Sequence, residues 1–306
     1  MMLVCGEALM DVFATEDTPD GIALDARVGG SPFNVAVGLA RLGQPASFIG
    51  GISGDRFGRR LLQALKREGV DVSLVQMQVA PTTLGVVTAD EHGVPTYAFH
   101  GEHGADRLLT PCSLQRLPDA RVLQVGSYTT VVEPVASTLR LLVERERTRL
   151  LVAYDPNVRL NVEPSVLRWR AAVEWMAQRV HLLKISAEDA GLLYPDDAVA
   201  TLARRWLAQG VALVVVTRGA EGASAWTPTC ELHVPSVPVT MVDTVGAGDT
   251  FQAALLTWLA EQGRDHARGL AALAREELQD ALHFAARAAA LTCGRRGADL
   301  PYRRDL

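Results

Sequence analysis

Short apolar runs alternate with amphipathic stretches along most of this chain. That rhythm predicts βαβ units and a mostly parallel sheet. Core strands are expected at 3–5, 46–50, 122–125, 150–154, 181–185 and 211–217. Helical spacing predicts helices at 32–41, 57–67, 133–147, 187–193, 198–209, 247–262 and about 278–292. Ser31 as N-cap, Pro32 in the first turn and Gly43 past the end frame the first of these, and Gly69 closes the second.

Two regions break the rhythm. TTLGVVTADEHGVPTYAF, from Thr82 to Phe99, reads as two β-type runs joined by Glu91, His92 and Gly93, hence a hairpin. A less regular stretch covers about 12–28. An inserted β-ribbon in an α/β chain commonly shields a ligand at the ends of parallel strands. We therefore expect one compact body over 1–306, with a β-lid formed from about 12–28 and 82–103.

Composition adds mainly exclusions. Hydrophobic residues make up 48%, charged residues 21%, and the net charge is −5, so no basic stripe invites nucleic acid. No run approaches the roughly 20 apolar residues of a membrane span. MMLVCGEALMDVF carries Glu7 and Asp11 within its apolar run, unlike a signal peptide. Cys5, Cys112, Cys230 and Cys293 form no CxxC pair, which argues against zinc or a disulfide framework and for reduced thiols in the cytoplasm.

The candidate chemistry is concentrated in DTVGAGDTF, residues 243–251. A helix start with two glycines exposes amides that attract phosphate, so a carboxylate at Asp249 is electrostatically out of place. The conflict resolves if Asp249 takes the proton of a substrate hydroxyl while the amides of Gly246, Ala247 and Gly248 hold the charge of a transferring phosphoryl group. A second motif, GGSPFNVAVGLARLG, places Gly29 and Gly30 before a helix whose first turn carries Asn34. Glycines there let the backbone approach a small ligand, and the amide can donate to and accept from hydroxyls. TRGAEG, from Thr217 to Gly222, follows an apolar strand and suits polyphosphate. The chain contains no GxxxxGK[ST], HExxH, GxSxG or GxGxxG motif to support another chemistry.

Taken together, the two glycine motifs resemble those of the ribokinase-like (phosphofructokinase-B) family of sugar kinases, over nearly the whole chain. GEALMDVF, GGISGDRFG and YDPNVR make it most similar to the bacterial fructokinases. The resemblance implies a three-layer α/β/α fold with a β-lid, and ATP-dependent phosphorylation of a terminal hydroxymethyl, with D-fructose as the first acceptor. It also implies Asp249 as catalytic base with Gly246, Ala247 and Gly248 as anion hole. Asp11, Gly29, Gly30, Asn34, Phe99 and Arg159 would face the sugar. Asn157, Lys184, Thr217, Arg218, Gly219, Gly222, Ala285 and Ala289 would face ATP. SAED, Ser186 to Asp189, stands where relatives carry NxxE, which implies Mg²⁺ contact by Glu188 and Asp189 through water. A monovalent cation such as K⁺ is expected beside Asp243 and Val245.

Relatives often carry an arginine just after the hairpin, whereas His100, Glu102 and His103 stand here. The absence favours a neutral sugar and makes HGEHG the expected seat of specificity. Ribose, a nucleoside or 2-keto-3-deoxygluconate are alternative acceptors, and a non-catalytic binding protein on the same fold is a further reading. A homodimer through the lid is expected, with no nucleic-acid or membrane partner.

Overall fold

The computed structural model describes residues 1–89, 95–114 and 116–306. The chain opens with β1 (Met2–Cys5), β2 (Leu9–Thr18), β3 (Gly21–Gly29) and α1 (Ser31–Arg41). There follow β4 (Ala46–Ser53), α2 (Arg56–Arg67), β5 (Val75–Gln78), β6 (Leu84–Ala89), β7 (Pro95–His100) and β8 (Val122–Gly126). The alternation continues through α3 (Val135–Glu146), β9 (Leu151–Asp155), α4 (Val166–Ala177), β10 (Leu182–Ser186), α5 (Ala187–Leu193), α6 (Val199–Gln209) and β11 (Leu213–Thr217). Strands β12 (Ala223–Trp226) and β13 (Glu231–Val234) precede α7 (Ala247–Glu261), α8 (Ala267–Ala271) and α9 (Arg275–Cys293).

Nine strands form the main sheet in the order β13-β12-β11-β10-β9-β8-β1-β4-β5. All neighbours are parallel except β11–β12 and β12–β13. Alternate strand residues enter opposite cores: Met2, Val4, Leu213 and Val215 on one face, Leu3, Cys5, Val214 and Val216 on the other. Because both faces are dry, these strands read as continuous apolar runs. Phe33 of α1, Leu61 of α2, Leu255 of α7 and Leu282 of α9 cover the first face. Leu139 of α3, Val173 of α4 and Trp206 of α6 cover the second. The result is the expected three-layer α/β/α fold.

Helix α4 and the β12–β13 hairpin were not expected from the pattern. In VLRWRAAVEWMA charges interrupt the apolar stripe; Trp169, fully buried, anchors the helix by donating its indole N–H to the Glu163 carbonyl at 2.9 Å. Removing a side chain of that size from such a site costs about 3–5 kcal/mol.

A second sheet of four strands, in the order β3-β2-β6-β7, stands at the exit of β1. The segment read as irregular is a hairpin, with a register shift between Ala14 and Glu16 and a polar outer half that hides the strand period. Along β2, Met10 and Val12 turn into the core while Asp11 and Phe13 face the other way, towards a cleft. Turn residues Glu91, His92 and Gly93 lie outside the described residues.

Candidate active site

A cleft of about 460 Å³ opens at the carboxyl ends of the parallel strands. Its floor carries Glu7, Ser127, Asn157, Arg159 and Glu188, one wall Gly30, Ser31 and Asn34, another Val245, Gly246, Gly248 and Asp249. Asp11, Phe13, Val87 and Phe99 of the small sheet close it from above. Ligands in open α/β sheets occupy this position because the strand ends and helix starts leave backbone groups free there.

Asp249 lies in the first turn of α7 and is 8% exposed. Ser31 Oγ donates to one of its carboxylate oxygens at 2.6 Å and Asn34 Nδ2 to the other at 2.8 Å. Ser31 is thus not an N-cap: Gly30 takes that place with φ 106°, and the hydroxyl is spent on Asp249 instead. Burial pushes the Asp249 carboxyl up, against the hydrogen bonds of Ser31 and Asn34 and the charge of Lys184, while Asp155 adds to the rise. Gly246 caps α7 at φ 79°, and a Cβ on it would stand 2.7 Å from the Ala298 methyl. Only glycine suits both demands. Among the described residues no side chain caps α7; the Ala247 N–H, expected in the anion hole, is spent on the Thr244 carbonyl at 3.2 Å, which leaves the amides of Gly246 and Gly248 available to an anion.

Across the cleft, burial pushes the Asp11 carboxyl up to about 7 against the pull of Arg159, with the Asp249 charge adding to the rise. A Cβ on Gly29 would come within 2.1 Å of Asp11 Oδ2, which explains the glycine at this turn. Glu7, 1% exposed, was not among the expected site residues. It accepts from Ser31 N–H at 3.2 Å and Thr129 Oγ1 at 3.4 Å, and burial pushes it up to about 8. An acid within an apolar run, like Asp11 in the same run, was the available signal. Asn157 holds φ 41°, and strained non-glycine residues collect where a site over-determines the backbone. Arg159 Nη1 donates to the Val158 carbonyl, and among the described residues it has no ion pair.

Lys184 is 3% exposed and bonded to Asp155 at 2.6 Å, so its charge is neutralised inside the sheet rather than extended into solvent. It still lies against the α7 turn, since a Cβ on Gly248 would be 3.2 Å from its Nζ. Asp189 next to this pair is pushed up to about 6 by burial and by the Asp155 charge, and Ser186 Oγ caps α5 by accepting the Asp189 amide at 2.9 Å. Both Asp243 oxygens are used by backbone amides, from Val245 at 3.0 Å and Gly297 at 2.8 Å.

Thr217, Arg218, Gly219 and Gly222 stand outside the cleft, at the end of β11, in a turn closed by Arg218 N–H to the Gly222 carbonyl at 2.8 Å. Gly219 and Gly222 hold φ 53° and 92° there. Ala289 is partly exposed on α9, but Ala285 is fully buried among the core residues beneath that helix and offers no face to a purine. His100, Glu102 and His103 do not line the cleft. Gly101 and Gly104 wrap the Thr83 hydroxyl so closely that a Cβ on either would meet it at about 2.2 and 2.1 Å. That wrapping turns the neighbouring side chains outward, so the expectation that HGEHG faces the acceptor does not hold.

Parallel strand ends, a buried carboxylate and an open helix start together define a carbohydrate kinase. The chain belongs to the pfkB family of carbohydrate kinases, whose model matches residues 1–304. It is 37% identical over 284 residues to the fructokinase of Rhizobium leguminosarum bv. trifolii, spanning 92% of this chain and 86% of that one. It superposes with a TM-score of 0.88 on the ATP-bound fructokinase of Xylella fastidiosa, at 28% identity over 99% of this chain and 96% of that one. A double mutant of the Vibrio cholerae O395 fructokinase, bound to fructose, ADP and potassium ion, gives a TM-score of 0.82 at 27% identity, over 97% and 93% of the two chains.

Proposed function

We propose that this carbohydrate kinase transfers the γ-phosphoryl group of ATP to the terminal hydroxymethyl of D-fructose, giving fructose 6-phosphate. The observation that carries the reading is Asp249, a buried carboxylate held by Ser31 and Asn34 beside the open amides of α7. The hydroxymethyl docks against Asp249 and gives up its proton there. The amides of Gly246 and Gly248 hold the charge that grows on the transferring group, with the Ala247 amide bonded to the Thr244 carbonyl beside them. Asp11, Gly30 and Asn34 bind the other hydroxyls, and Arg159 faces the phosphoryl side. Relatives described with ATP, and with fructose and ADP, support both substrates.

A neutral acceptor follows from the charges on the walls. Glu7, Asp11, Glu188 and Asp249 line a cleft that holds Arg159; burial already disfavours the charged forms of Glu7, Asp11 and Asp249, and the negative charge of an acidic sugar would disfavour them further. Mg²⁺ would neutralise the ATP phosphates. Among the described residues no three ligand side chains lie close enough to hold a metal ion alone, which fits a cation bound mainly by phosphate and met by Glu188 and Asp189 through water. The potassium-bound relative supports a monovalent cation, for which the 243–245 bend is the seat proposed here. Ile22 and Leu24, 59% and 58% exposed on edge strand β3, support a homodimer through the small sheet, which acts as the lid. No helix among the described residues is long and apolar enough to cross a membrane, in keeping with a cytoplasmic enzyme.

The test is phosphorylation with labelled ATP of D-fructose, D-ribose, adenosine and 2-keto-3-deoxygluconate. D-Fructose should give the highest kcat/KM. Preference for the acidic sugar would overturn the acceptor assignment.

A further inference from the structure

A second cavity, about 940 Å³, lies between α3 and α4 and shares no lining residue with the cleft. Its apolar wall includes Val132, Val162, Trp175 and Met176. Three guanidinium groups face it, and two are already compensated: Arg140 by Glu133, and Arg168 by Glu163 at 2.8 Å. Arg107 differs. It is 9% exposed, its Nε–H meets no acceptor, and it has no ion pair among the described residues. Its sequence neighbour Asp106 is committed to Thr83 and to the Tyr128 hydroxyl at 2.9 Å. The guanidinium rests 5.7 Å from the centre of the ring of Tyr128, a residue that lines the cleft.

Apart from the nearby Asp106 charge and the Tyr128 ring, this buried cation has no ion pair among the described residues and one N–H unmet, which is unfavourable, and an oxyanion reaching it gains charge-assisted hydrogen bonds in a site of low dielectric. Glu102 also lines the groove but is exposed, and it makes no ion pair with Arg107. We propose that this groove binds a small organic anion, a carboxylate or phosphate monoester with an apolar body. The headgroup sits on Arg107 and the body lies against Val132, Val162 and Trp175.

The test is calorimetric titration of the full-length protein with benzoate and with phenyl phosphate, using benzyl alcohol as the neutral control. At least one anion should bind saturably and the alcohol at least roughly tenfold more weakly, the scale of one lost charge-assisted contact. Arg107→Met should weaken the anion by a similar factor, and Glu102→Gln, which removes a competing charge, should tighten it. The tighter anion identifies the headgroup. Absence of saturable binding by either anion overturns the proposal. So does an affinity that neither variant changes, which would place the anion elsewhere, such as the nucleotide face. Should Arg107→Met fail to fold, Glu102→Gln decides: unchanged affinity rejects the site.

Discussion

The side of the Gly246–Asp249 turn proposed to receive the acceptor hydroxyl and the side proposed to receive phosphate are built from different material. On the hydroxyl side, buried side chains hold one another: Ser31 and Asn34 on Asp249, and Asp11 pressed over Gly29. On the phosphate side, the turn from Arg218 to Gly222 closes on its own backbone through the Arg218, Glu221 and Gly222 amides, and it and the start of α7 leave only the remaining amides and partly exposed side chains to a ligand. In a low-dielectric pocket each polar atom has a required partner, so position discriminates between acceptors. Backbone amides recognise charge and are indifferent to side-chain identity. Acceptor choice is therefore expected on the first side, and general nucleotide binding on the second.

Substitutions on each side can separate these two behaviours. Asp249→Asn should lower kcat by about 10³-fold or more while leaving ATP affinity within a few-fold, since a proton acceptor is lost and the amides remain. Unchanged turnover would remove Asp249 from the chemistry. Lys184→Met, under both sides, leaves Asp155 buried without its partner at 2.6 Å; chemical denaturation should show a loss of about 3–5 kcal/mol. A loss below about 1 kcal/mol would mean that Asp155 finds water or becomes protonated.

Smaller effects should show in the split between substrates. Gly29→Ala sets a methyl 2.1 Å from Asp11 Oδ2 and should reduce kcat/KM for the sugar by about 10²-fold, with KM for ATP unmoved. Arg218→Ala should do the reverse, raising KM for ATP by about tenfold in a salt-dependent manner. If both variants changed both constants alike, the division between sides would fail. In the pH profile, a base works only when ionised, and burial raises the Asp249 carboxyl. Activity should be full above its pKa and fall as pH drops through it, starting above the ordinary aspartate range. Sugar affinity should weaken below about 7, where Asp11 gains its proton, while KM for ATP stays flat through that range.

Much of this architecture was legible in the pattern of residues. Runs such as 122–125 and 150–154 could hardly be anything but strands dry on both faces, and β8 and β9 occupy those places. DTVGAGDTF likewise announced a phosphate-type helix start with a carboxylate inside it, because glycine conformation and helix-end amides are local properties. Folding decided the partners. Ser31 looked like a cap and became a donor to Asp249, 218 positions away; Lys184 looked like a reach towards nucleotide and closed on Asp155, 29 positions away. Ala285 looked like a purine shelf and lies in the core, and HGEHG looked like the specificity segment and faces outward. Local pattern encodes which backbone turns and apolar stripes can form, since those depend on a few consecutive residues. Which polar group meets which depends on how strands far apart in sequence are brought side by side, and there burial sets the energies.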